Sequence, residues 1–321
     1  MSKIFLLSGK IDTMLKKILI FTILMTCIVS YAKELKILMI GNSFSICVGK
    51  YLPQIVNAGN NHSINLTSAY IGGCSIKKHA KILKKAETNP DFKPYLISIW
   101  DSKSLDKKVE FKGNVNQLLK GNQYDIISIQ QASHESFDYQ TYQPFIQEVI
   151  DYIKKHNPKA EIVIQQTWAY RSDSERLKNW KLSQNEMNQK VCEAYQLLAK
   201  ETGFRIIPVG EAVNLARQNK IYQFTPPTKE ELEKFAYPNL PSSENDIVGK
   251  YFYSTKDDKK VLNTDSHHLN FKGEFLQACV WYGTLFNENP DEIKFKPKKL
   301  SETEAIILKK AAEEAVYKYN K

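Results

Sequence analysis

Four short stretches of this sequence carry side chains that could do chemistry together. In "KILMIGNSFS" (36–45) an apolar run stops at a Gly-Asn-Ser turn and presents Ser43. A serine there is a helix cap by default, because its hydroxyl is a weak nucleophile until a base stands beside it. "NTDSHHLNFKG" (263–273) supplies a base: Asp265 and His268 are three residues apart on what reads as a loop before an apolar helix. A carboxylate at that spacing can hold one imidazole nitrogen, fix the tautomer and leave the other nitrogen for a serine. His267, two residues from the aspartate, reads as structural or pocket-lining. "YIGGCS" (70–75) offers Gly72 and Gly73, where the backbone can approach closely and aim an amide at a developing oxyanion; a plain strand-ending turn explains the glycines equally well. "SIQQASHES" (128–136) crowds Gln130, Gln131, Ser133 and His134 at the end of another apolar run, so at least one of them is expected to face a cleft.

These residues need a scaffold that gathers strand ends. The runs at 36–41, 64–73, 124–131, 160–168 and 204–210 read as strands. The segments 48–59, 75–87, 141–156, 174–203, 210–219 and 271–286 read as helices, with Pro53 limiting the first and Gly203 stopping the long one. Such alternation predicts an α/β fold: a three-layer αβα architecture on a flavodoxin-like parallel sheet of about five strands, with ligands beyond the strands' C-terminal ends. Residues 91–112 and 220–260 break the alternation and read as insertions over a sheet edge. Residues 301–319 read as a C-terminal helix opened by a Ser-x-x-Glu-type cap. Residues 33–321 are therefore taken as one domain with its core at 36–286.

Composition narrows the function. The chain has 321 residues and a formal charge of +10, carried almost entirely by Lys. With few arginines and no basic stripe interleaved with aromatics, it is not read as a nucleic-acid binder. "MLKKILIFTILMTCIVSYA" (14–32) has the charged start, apolar stretch and small-residue ending of a secretory leader. Cleavage after Ala32 is expected, with lipid attachment at Cys27 the less favoured route. Export as a periplasmic or secreted protein follows, with no membrane span once the leader is gone. The other cysteines, Cys47, Cys74, Cys192 and Cys279, are too sparse for a disulfide scaffold and contain no C-x-x-C pair. They read as buried free thiols, and no metal or cofactor is expected.

Together "IGNSFS", "YIGGCS" and "DSHHLNFKG" resemble the first, second and fifth blocks of the SGNH (GDSL-type) hydrolases, and more narrowly a secreted bacterial branch catalogued as a domain of unknown function. Asn42 stands where the family usually has Asp. The resemblance implies the catalytic set Ser43, Asp265 and His268, with the amides of Ser43 and Gly73 in the oxyanion hole. The third block departs: the family's Gly-x-Asn-Asp is missing, and Gln131 is taken as the third oxyanion donor, with His134 the alternative. Gln130, His134, Trp168 and Tyr170 are expected to bind substrate. The implied activity is hydrolysis of acyl esters, chiefly acetyl groups on carbohydrate. A lipid or lysophospholipid acyl hydrolase and a non-catalytic carbohydrate-binding relative are the alternatives.

Overall fold

A computed structural model of the protein describes residues 33–105 and 109–319. The leader read at 14–32, with Cys27, lies outside the described residues. The sheet has seven strands: β1 (Lys33–Gly41), β2 (His62–Tyr70), β3 (Tyr95–Asp101), β4 (Val109–Gly113), β5 (Ile126–Ile129), β6 (Glu161–Gln165) and β7 (Arg205–Ile207), in the order β4-β3-β2-β1-β5-β6-β7. The run β2-β1-β5-β6-β7 is parallel throughout. Counted among themselves, these five strands follow the order 2-1-3-4-5 of a flavodoxin-like sheet. The expected fold class holds, and the sheet is two strands wider than expected. Residues 91–112 do not lie over the edge. Their strand β3 pairs antiparallel to β2, and β4 pairs antiparallel to β3, so the two extend the sheet.

The central strands read as near-continuous apolar runs because both faces are covered. In β1, Leu35 and Ile37 through Ile40 are all buried. The helices of the described residues are α1 (Ser43–Ile46), α2 (Leu52–Gly59), α3 (Ile76–Thr88), α4 (Val115–Gly121), α5 (Phe145–His156), α6 (Glu175–Trp180), α7 (Gln184–Thr202), α8 (Val209–Arg217), the short, unburied α9 (Lys229–Leu232), α10 (Phe271–Phe286) and α11 (Glu302–Tyr319). The helix expected over 174–203 is two helices. Lys181 takes a left-handed conformation (φ 55°), and Ser183 then starts α7 with a capping box, its hydroxyl and amide exchanged with the amide and carboxylate of Glu186. The Cys47, Cys74, Cys192 and Cys279 thiols are free, and each is buried or half-buried.

The decisive feature is register. Gly41 at the end of β1 lies opposite Tyr70 at the end of β2, and Ile40 lies opposite Ile129 at the end of β5. Parallel pairing thus delivers the turns after all three strands to one edge. A separate hairpin, β8 (Val248–Lys256) with β9 (Lys259–Leu269), leads into α10.

Candidate active site

Asn42, not Ser43, caps the helix after β1. Its Oδ1 accepts the Phe44 amide at 3.0 Å, and Ser43 becomes the first residue of α1. The ordinary explanation for a serine at this position is therefore taken by its neighbour, and the Ser43 hydroxyl is left for another partner. That partner is His268, whose Nε2 lies 2.8 Å from Ser43 Oγ. On the other side of the ring, Nδ1 lies 2.8 Å from Asp265 Oδ2. The second Asp265 oxygen accepts the amides of His267 and His268, both at 3.1 Å.

Asp265 and His268 sit at the end of β9, not on a loop as the sequence suggested. In a regular strand, residues three apart point to opposite faces. Here Lys250 pairs with Asp265 and Val248 with Leu269, so residues 266–268 bulge out opposite Gly249. The bulge brings the carboxylate and the imidazole to the same side. Gly249 has φ +91°, and a Cβ there would stand 2.7 Å from the Asp265 carbonyl oxygen and 2.9 Å from Arg171 Nη1. Only glycine fits both the conformation and the contact.

Burial alone would favour protonated Asp265. The hydrogen bond and charge of His268 and the two amides outweigh it and hold the carboxyl well below the usual carboxylate range. His267 is pushed down to about 4 by burial first, and then by the charges of His268 and Arg176. Its Nδ1 lies 3.2 Å from Asp265 Oδ1, and its ring packs at 4.1 Å on that of His268. Asp265, His267 and His268 are also the group among the described residues whose ligand atoms could hold a metal ion, all within 4.8 Å of one another. In this structure those atoms face each other.

A buried amide network holds the turn under Ser43. Asn42 Nδ2 donates to the Cys74 carbonyl at 3.0 Å, tying the β1 turn to the one that carries Gly73. Gln130 Nε2 donates to Asn42 Oδ1 at 2.6 Å, and Gln165 donates in turn to Gln130. Gln165 and Gln277 both donate to the Phe44 carbonyl at 2.8 Å, and the Trp281 indole donates to Gln165. This network was missed in the sequence. Its members lie on four different elements, and only their polarity inside apolar runs hinted at it.

Gly73 lies in the turn after β2 at φ +58°, and nothing stands within 4 Å of a would-be Cβ, so its backbone is open. Three other expectations are corrected. Gln131 is fully buried: its oxygen accepts the Ile76 and Ala132 amides, each at 2.9 Å, and its nitrogen donates to Thr141. It joins the second and third blocks and has no donor left for an oxyanion. Gln130 is a network member, not a substrate ligand. Trp168 and Tyr170 are buried rather than pocket walls. The Trp168 indole donates to the His267 carbonyl at 2.8 Å and stacks on Phe44 at 4.1 Å, bracing both halves of the site. Tyr170 holds Ser133 at 2.8 Å and packs on His267. His134 is exposed, with its nearest charged partner Glu135 at 3.6 Å.

A flavodoxin-like αβα sheet that gathers a serine, a histidine and an aspartate at its C-terminal edge is the class of fold that the SGNH resemblance implies. The chain itself belongs to the family described as "Domain of unknown function (DUF4886)", whose model matches residues 36–226. That match includes Ser43 and Gly73 and stops before Asp265 and His268. Among solved structures, a DUF4886 family protein from Bacteroides uniformis is 24% identical with a TM-score of 0.71, covering 90% of this chain and 96% of its own. More distant likenesses include a member of the lipolytic G-D-S-L family from Veillonella parvula (14% identity, TM-score 0.42, covering 80% of this chain and 100% of that one). Another is Axe2, an acetylxylan esterase from Geobacillus stearothermophilus (13%, TM-score 0.40, 83% and 97%). No curated protein matches the chain.

Proposed function

We propose that the protein is a serine-dependent carboxylic ester hydrolase. The observation that carries this reading is the unbroken line Ser43 Oγ–His268 Nε2–His268 Nδ1–Asp265 Oδ2, with both contacts at 2.8 Å. Ser43 Oγ attacks the ester carbonyl as His268 takes its proton. The amides of Ser43 and Gly73 hold the resulting oxyanion. The carbon–oxygen bond to the alcohol then breaks, and His268 gives its proton to that leaving oxygen. Water, deprotonated by His268, attacks the acyl-serine; the acid leaves and Ser43 regains its proton. Asp265, kept ionised, holds the ring and stabilises the imidazolium.

Of the ester classes the sequence raises, an acylated carbohydrate suits the site better than a lipid. A pocket of about 750 Å³ opens against His267, and its wall mixes the charged Asp173, Glu175, Arg176, Lys178 and Lys229 with Pro226, Pro227, Leu232 and Tyr251, a combination that suits the polar rim and apolar face of a sugar ring. A purely binding relative would have no need of a hydrogen-bonded nucleophile and base.

A short-chain p-nitrophenyl ester tests the chemistry. Ser43→Ala is expected to lose several orders of magnitude in kcat while remaining folded, and an organophosphonate should label Ser43 in the parent protein. Full activity in the alanine variant, or labelling at another residue, rules the mechanism out.

A further inference from the structure

The pocket against His267 lies on a particular side of the reaction. His268 hands its proton to the departing alcohol, so the alcohol part must lie on the histidine's side of the scissile bond. The pocket is walled there by Thr264, Ser266 and His267 of β9, and His267 packs directly on the His268 ring. It is therefore placed to receive the alcohol part and not the acyl group.

Its charges are unequally committed. Asp173 is held by the buried Arg171 guanidinium through two bonds, at 2.8 and 2.7 Å. Glu175 is held by Lys178 at 2.6 Å, and Lys229 stands 3.7 Å from Glu233. Arg176 has no carboxylate partner among the described residues. It is nevertheless oriented: Nη1 donates to the Tyr170 hydroxyl at 3.2 Å, and that hydroxyl is itself fixed on Ser133. Its charge reaches the site, since it is one of the causes that hold His267 down. A guanidinium anchored by one nitrogen keeps donors free for a planar anion.

We propose that this pocket is the leaving-group subsite and that Arg176 selects esters whose alcohol part carries an anionic group, a carboxylate above all, as on an acylated acidic sugar. This rests on the serine-esterase reading and narrows it to a substrate class.

Two matched esters test it: phenyl acetate, and 4-acetoxybenzoate, which places a carboxylate on the alcohol part. The expected result is a kcat/KM at least about 10-fold higher for 4-acetoxybenzoate than its intrinsic reactivity explains, with the preference shrinking as salt rises. Arg176→Gln should raise KM for 4-acetoxybenzoate by about 10- to 100-fold, the usual worth of a charged hydrogen bond, and collapse the ratio between the two esters. Arg176→Lys should retain part of the preference. Thermal melting of both variants checks that they are folded. Equal use of the two esters by the parent protein, or a ratio unmoved in Arg176→Gln, overturns the subsite while leaving the esterase reading intact. Turnover of neither ester, with no phosphonate label on Ser43, overturns the esterase reading and this inference with it.

Discussion

At the scale of single residues, the structure separates side chains that face the cleft from those that build it. Gln131 is the clearest case. Its amide group satisfies two buried backbone N–H groups and reaches Thr141, so it works as a rivet between the turn after β2 and the turn after β5. Gln131→Ala would leave the Ile76 and Ala132 amides without partners, at a cost of about 1–3 kcal/mol for each. The expected outcome is a clear fall in the denaturant midpoint. The loss of kcat per folded molecule should be smaller than the roughly 10²- to 10³-fold that removing a direct oxyanion donor costs. A variant of normal stability with that larger loss would return Gln131 to the oxyanion hole. Asn42 shows why the Asn-for-Asp replacement is tolerated here: its Nδ2 donates to a carbonyl, which a carboxylate could not do.

At the scale of elements, the β8–β9 hairpin delivers Asp265 and His268 to Ser43. Its bulge depends on Gly249, and the buried Arg171 backs it, its guanidinium gripping Asp173 and packing between Phe224 and Tyr251. The Arg171 amide also donates to the Ser266 carbonyl at 2.8 Å, fixing the bulge to the loop after β6. Gly249→Ala adds a Cβ against the Asp265 carbonyl and forces a left-handed backbone on alanine, a strain of about 1–3 kcal/mol. Melting should drop by several degrees, at about 2–4 °C per kcal/mol for a chain of this size. Because the strain falls on Asp265, kcat should fall too, with less change in KM. A variant that melts early and keeps its full kcat would show that the bulge does not set the acid–base geometry.

At the scale of the whole molecule, buried imidazoles make stability depend on pH. His79 is 2% exposed, with Nδ1 3.0 Å from the Tyr95 hydroxyl and no partner for Nε2 among the described residues. Burial, aided by the charge of Lys78, pushes it down to about 3, against about 6.5 in an unfolded chain. The unfolded chain therefore binds the extra proton, and stability falls as pH drops from about 6.5 towards 3. His267, pushed down to about 4, acts in the same direction over a narrower window. The depressed Asp265 adds a loss below about 4, where the unfolded carboxyl protonates but the native one does not. Denaturant midpoints measured from pH 7 to 4 should fall steadily. His79→Leu should flatten that slope by up to one proton, about 1.4 kcal/mol per pH unit. An unchanged slope would mean that His79 is not held neutral by the fold.

The sequence by itself determined the parallel sheet, because strands covered on both faces must be continuous apolar runs, and 36–41, 124–131 and 160–168 are such runs. It also determined which serine, aspartate and histidine to set together, since a serine just after the first strand and an Asp-x-x-His just before the apolar helix at 271–286 are local patterns. What it left open were contacts between distant segments. Residues 91–112 carry no sign that they pair with β2, because an edge hairpin and a surface loop have similar composition. The fates of Gln131, Trp168 and Tyr170 were decided by partners 10 to 99 residues away in the chain. Polarity at a strand end says that a group must be satisfied. Only tertiary packing decides whether a substrate or another part of the chain satisfies it.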